Sequence, residues 1–175
     1  KKRRLYNFGI TAAYLGETIF HPGFITSVEY IPLQNNYSKM LLIGNLGFIV
    51  HPYNYSALFF NSEIGYRFTT PLGFMFDLSI GVGYMHLWLY MAQNSSIYER
   101  DSSGNVTTAI NYGYPGLSPS FSMGIGWDLS KISKAPILIF TRIYTLGRFP
   151  VNNMMFFHCS LTIGVAYFFK LGNKK

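Results

Sequence analysis

Between residues 72 and 84 the chain alternates strictly. Leu72, Phe74, Phe76, Leu78, Ile80, Val82 and Tyr84 share one parity, and Gly73, Met75, Asp77, Ser79, Gly81 and Gly83 share the other. A period of two belongs to an extended strand, whose successive side chains point to opposite faces. One face here is large and apolar and the other is small. A polar face that met bulk water would carry charge; one built of glycine and serine suits a crowded interior. The same pattern returns near the C-terminus, where Leu161, Ile163, Val165, Tyr167 and Phe169 alternate with Ser160, Thr162, Gly164 and Ala166.

Composition sharpens the choice of architecture. Charged residues make up 12% of the chain, about half the share of an ordinary soluble domain, while aromatics reach 18%. So few charges would scarcely clothe a water-soluble surface. No apolar run approaches the length of about 20 residues that a transmembrane helix needs. An apolar, aromatic sequence finely interrupted by Gly, Ser, Thr and Asn fits strands that alternate between lipid and a filled lumen. Residues 1–175 show no linker-like change of composition and are read as a single domain.

Six further alternating segments, at 5–16, 23–31, 38–50, 55–69, 117–128 and 136–146, bring the strand total to eight. Turn chemistry separates them at Pro32–Asn36, Pro52–Asn54, Thr70–Pro71, Ser130–Pro136 and Pro150–Asn153. The interval 87–116 is longer and reads as a loop that includes a hairpin extension. The predicted fold is therefore all-β: a closed antiparallel eight-stranded transmembrane β-barrel.

With these strands placed, the chain resembles the small eight-stranded outer-membrane proteins of the OmpA/OmpX type over nearly its whole length. The resemblance rests on alternation, strand count and aromatic placement, and the aromatic-rich last strand belongs to it. It implies the outer membrane of a Gram-negative bacterium, with a secretory signal already removed ahead of Lys1. Such barrels are narrow enough for side chains to fill. They are rarely open pores and act as adhesins, evasion factors, lipid-modifying enzymes, scaffolds or accessory subunits.

A periplasmic N-terminus puts the long interval on the extracellular side as the third extracellular loop, with short connections opposite. Most of the 14 Lys and Arg then gather at the periplasmic rim. They comprise the basic N-terminus of residues 1–4 (Lys1, Lys2, Arg3 and Arg4), then Lys39, Lys131 and Lys134, and the tail of residues 170–175 with Lys170, Lys174 and Lys175. This collar is expected to touch anionic lipid headgroups, lipopolysaccharide being among the lipids of that membrane, or to dock an acidic partner. No basic-aromatic patch stands outside the barrel pattern, so nucleic acid is not an expected partner. Tyr6, Tyr30, Tyr37, Tyr66, Trp88, Tyr90 and Trp127, with His86, are expected as interface anchors.

Candidate chemistry is sparse. Glu29, Glu63, Arg67, Asp77, Asp128 and Arg142 fall on the inward parity, and buried charges require partners. A lumen network with Arg67 and Arg142 as hubs follows. His21, His51 and His158 point inward near the extracellular end, with Glu17 as a possible fourth group; imidazole clusters suit zinc, copper or nickel. No tight metal spacing accompanies them. No cofactor is expected, and the favoured reading is rim histidines bonded to loop backbone. The tripeptide His158-Cys159-Ser160 is similar to the His-x-Ser pair of outer-membrane lipid A deacylases, which implies a histidine base and a serine nucleophile. Parity turns this pair inward, and no acid is evident nearby. The function expected first is a non-enzymatic structural or accessory barrel, a subunit or partner of a larger outer-membrane complex. A deacylase-like lipid-modifying enzyme, or a small channel or ligand-binding barrel, is the alternative.

Overall fold

The computed structural model describes residues 6–52, 54–89, 97–100, 103–109, 113–133, 135–151 and 154–171. Eight strands form the barrel wall: β1 (Phe8–Glu17), β2 (His21–Tyr30), β3 (Ser38–His51), β4 (Tyr55–Thr69), β5 (Phe74–Leu89), β8 (Tyr114–Asp128), β9 (Ile137–Val151) and β10 (Met154–Phe169). Each pairs antiparallel with its neighbours in sequence. The ring closes where β1 meets β10, from Phe8↔Phe169 to Glu17↔Ser160. Closure leaves no edge strand, so the ladder satisfies its own N–H and C=O groups. A separate hairpin of β6 (Ile97–Arg100) and β7 (Val106–Ala109) lies between β5 and β8.

Several strands outrun the sequence pattern. β5 continues to Leu89 and β8 begins at Tyr114, so the connection between them is shorter than 87–116. β9 runs on through Pro150, which the sequence reading assigned to a turn, and β2 includes Pro22. Pro119 sits well inside β8. The β8–β9 partners there pass from Leu117↔Phe149 directly to Ser120↔Leu146. Proline has no N–H to give the ladder, which accounts for the gap.

The two faces divide as the alternation requires, but inside out relative to a soluble protein. Ile10, Phe24, Val28, Leu46, Phe60, Ile64, Leu78, Ile80, Phe121, Ile143, Ile163 and Val165 all lie exposed on the outer wall, Ile80 at 68%. Tyr30, Tyr37, Tyr66 and Trp127 are exposed among them, and the Trp88 and His86 rings meet at a 41° tilt with centroids 4.3 Å apart. Tyr6 differs, because it packs against the buried core. Tyr90 lies outside the described residues.

The lumen is filled by side chains in successive levels. At the end where β2 joins β3, β4 joins β5 and β8 joins β9, Ile31, Leu41, Met75, Leu138 and Phe168 are buried. Toward the other end, where all connections but that from β5 to β8 are shorter than the sequence reading expected of the long-loop side, Leu15, Ile49, Ala57, Met85 and Leu146 form a second apolar level. Charged and hydroxyl groups occupy the space between. Small inward residues make the fit possible. A Cβ at Gly47 would collide with the Phe59 ring, and one at Gly124 with the Arg142 side chain. An apolar outer wall facing hydrocarbon predicts that Ile80→Arg destabilises the folded barrel in lipid vesicles by about 2–4 kcal/mol. Denaturant unfolding of the two proteins checks this; an unchanged midpoint would show that Ile80 faces water.

Candidate functional site

Four charged side chains meet inside the barrel, delivered by β2, β4, β5 and β9. Arg67 donates two bonds to Glu29, from Nη1 to Oε2 at 2.8 Å and from Nη2 to Oε1 at 3.0 Å. It also donates to Asp77 Oδ2, from Nη2 at 3.0 Å and from Nε at 3.3 Å. Arg142 Nη2 bridges the same two acids, at 3.2 Å from Glu29 Oε1 and 2.9 Å from Asp77 Oδ2. Two cations and two anions cancel. Arg67 and Glu29 are essentially inaccessible, at 1% and 0%. A planar guanidinium suits this role because its fork matches a carboxylate bidentately. The remaining bonds are incomplete, since Arg142 Nε and Asp77 Oδ1 have no hydrogen-bond partner.

The other two acids stand apart from the quartet. Glu63 is held by hydroxyls: Ser79 Oγ donates to Oε2 at 2.5 Å, and Tyr144 OH and Ser120 Oγ donate to Oε1 at 2.7 and 2.8 Å. Asp128 closes β8 and caps the 3-10 turn Leu129–Lys131, accepting from Ser130 N at 3.0 Å. Its second oxygen lies 3.4 Å from Lys39 Nζ. Lys39 therefore turns into the barrel end, over the Phe168 ring at 5.2 Å, instead of standing in a solvated collar. Lys131 Nζ donates to Asn36 O at 2.9 Å, and Lys170 is exposed. Lys1, Lys2, Arg3, Arg4, Lys134, Lys174 and Lys175 lie outside the described residues.

A second polar group occupies the opposite mouth. Glu17 pairs across the ladder with Ser160 on one side and His21 on the other, and His51 pairs with Tyr55. His158 Nδ1 and Tyr55 OH both reach Glu17 Oε1, at 2.5 and 2.6 Å. An acid thus stands beside His158, which the sequence did not reveal, because Glu17 was read as a loop residue and belongs to β1. Its signal was the register. Closing β1 onto β10 puts residue 17 opposite residue 160. His158 and Ser160 are each 2% exposed, and His158 Nε2 and Ser160 Oγ have no hydrogen-bond partner, so no bond joins them. Acid, imidazole and hydroxyl are neighbours, but base and nucleophile are not engaged and lie sealed from both water and the outer wall.

His21 and His51 stack with ring centroids 3.5 Å apart. They are half-buried, whereas His158 is separated from them by the Tyr55 ring, which lies 5.1 Å from His51 and 5.7 Å from His158. The three histidines therefore do not converge on one point. Among the described residues, no group of three or more His, Cys, Asp or Glu is arranged to hold a metal. The turn before His21 is strained, with Thr18 at φ 47° and Ile19 at φ 75°. Left-handed backbone at a β-branched residue is costly and persists only where neighbours fix it. Here Thr18 N donates to Cys159 O at 2.9 Å and Ile19 N to Gly16 O at 3.1 Å.

Removing one hub should expose the dependence of the lumen on charge pairing. Arg67→Leu leaves Glu29 and Asp77 sharing Arg142 alone, and loss of one member of a buried ion group costs about 3–5 kcal/mol. Denaturant unfolding in detergent micelles checks this, with Lys170→Leu at the exposed rim as the comparison expected to change little.

No family model matches the chain, and no curated protein does. Among solved structures it is similar to Neisserial surface protein A, with a TM-score of 0.58 and 11% identity over 93% of this chain and 97% of that one. The outer membrane enzyme PagL gives a TM-score of 0.54 and 9% identity over 91% of this chain and 98% of that one. Yersinia pestis Ail, the attachment invasion locus protein, has also been determined in a bilayer nanodisc; that structure gives 0.50 and 13% over 94% and 100%. At these identities the likeness concerns architecture: this chain has the closed eight-stranded fold of the small outer-membrane barrels.

Proposed function

We propose that the chain is a non-enzymatic structural or accessory barrel of a Gram-negative outer membrane, serving as a subunit or partner of a larger outer-membrane complex. The observation that carries this reading is the filled lumen. Buried side chains occupy it at every described level, and the cavity beside Thr11, Glu63, Arg142 and Tyr144 has about 10 Å³, room for about one water. A barrel packed in this way offers no route for a solute. Its working surfaces are then the apolar wall, the two rims and the connections between strands. The wall meets lipid, including the acyl chains of lipopolysaccharide, and the exposed Lys170 adds a basic group at the rim where β10 ends.

One observation favours a second reading, a lipid-modifying enzyme: Glu17, His158 and Ser160 supply acid, base and hydroxyl in adjacent strands. Against it stands their burial, since a lipid substrate on the outer wall does not reach an inward serine.

Mild-detergent purification from native membranes, followed by mass spectrometry, tests the proposal. A larger membrane protein is expected to accompany the barrel in fixed proportion; a lone monomer counts against an accessory role. The purified barrel is also expected to be silent in planar bilayers, and steady conductance would refute the closed lumen. Lipid hydrolysis that disappears in Ser160→Ala would establish the enzymatic reading instead.

A further inference from the structure

The two rings stacked at the barrel mouth have a feature that the proposed function does not use. The β2–β3 ladder runs to Gly23↔Ile49, and two residues further its register sets His21 against His51. The imidazoles lie face to face, with centroids 3.5 Å and planes 24° apart, and both are half-buried. Neutral rings tolerate this closeness. Two charged rings repel at that distance, and like charges directly opposite destabilise a strand pair.

Imidazole changes charge between about pH 5 and pH 8. Among the described residues, three titratable groups surround the pair. Glu17 on β1 faces His21 in the ladder, the Tyr55 ring on β4 lies 5.1 Å from His51, and His158 on β10 stands behind that tyrosine. Tyr55 and His158 both bond to Glu17 Oε1. One carboxylate thus stands against three imidazoles, and it offsets the first proton taken up but not those that follow.

His21 is also a fastener. Its Nδ1 lies 2.8 Å from Thr18 Oγ1, and that hydroxyl gives its own proton to Glu17 O, so the ring N–H is the donor. The bond braces the turn from Thr18 to Phe20, in which Thr18 and Ile19 hold left-handed φ angles of 47° and 75°. The other restraints are backbone bonds from Thr18 N to Cys159 O and from Ile19 N to Gly16 O. Backbone placed in this way persists only while its neighbours hold it.

We propose that the His21–His51 stack is a pH-sensitive latch on the β1–β2 turn. At neutral pH and above, the rings stay stacked and His21 braces Thr18. When both rings are charged they part, His21 leaves Thr18, and the turn with its exposed Phe20 relaxes away from the mouth. The released form binds one proton more than the latched form, so the latched form is lost as pH falls. The ratio of latched to released then drops about tenfold per pH unit where the second ring titrates. The charged quartet and both apolar levels contain no histidine, so the body of the barrel takes no part in the change.

The test follows the full chain in detergent micelles by NMR from about pH 8 to about pH 5. Ring nitrogen shifts of His21 and His51 report the two protons. Solvent exchange of the Thr18 amide, corrected for its intrinsic pH dependence, reports the turn. In the wild type, Thr18 protection should fall about tenfold or more, in step with the second proton. His51→Phe keeps a flat ring against His21 and removes one charge, so its turn should stay protected throughout. The proposal is overturned if wild-type protection is equal at both ends of the range, if it follows the first proton, or if His51→Phe responds as the wild type does. It is overturned likewise if the response disappears in His158→Gln alone, which would make the His158–Glu17 pair the sensor. Should His51→Phe not fold, the order of events in the wild type decides by itself. None of these readouts depends on whether the barrel has a protein partner.

Discussion

Backbone polarity is the constraint from which the rest of this structure follows. A wall that is apolar on its outward face cannot leave amides unpaired toward hydrocarbon, where each would cost several kcal/mol. The sheet therefore has to end on itself, and the pairing of β1 with β10 makes that possible. Closure with eight strands then fixes the bore, which is narrow enough to be packed solid. The small inward residues, the apolar levels near both ends and the polar middle are consequences of filling that bore.

Within the bore, two solutions to burying an acid lie side by side. Glu29 and Asp77 are neutralised by guanidinium groups, whereas Glu63 is satisfied by three hydroxyls with no cation bonded to it. Hydrogen bonds to a carboxylate stabilise its charge as a paired cation does, if less strongly. The parity of a residue told which face it occupies, not which of these solutions it would meet. That depends on which strands face each other across the lumen.

The same distinction explains what could be read from sequence. Alternation at 72–84 and 160–169 was enough for strand type, facing and class, and the turn residues were nearly enough for strand number. Strand ends were less visible, because Pro22 and Pro150 look like terminators yet are accommodated in a barrel wall. Contacts that depend on register were largely hidden. Glu17 beside His158 spans 141 residues of sequence and follows from the last closure of the ring. Lys39 looked like one more rim lysine until Asp128 was placed across from it. The Arg67–Asp77 bond was the easiest to anticipate, since those residues face one another across a single hairpin.

The buried quartet also divides along the chain. Glu29, Arg67 and Asp77 all enter with β1 to β5, so that half of the chain brings two carboxylates and one guanidinium. Arg142 arrives only with β9. Without Arg142 the quartet would keep one net negative charge, which a dry interior penalises and water accepts. β9 supplies the second cation and balances the quartet, one strand before β10 closes the ring on β1. Neutrality of the quartet thus ties the first half of the chain to the second across the lumen.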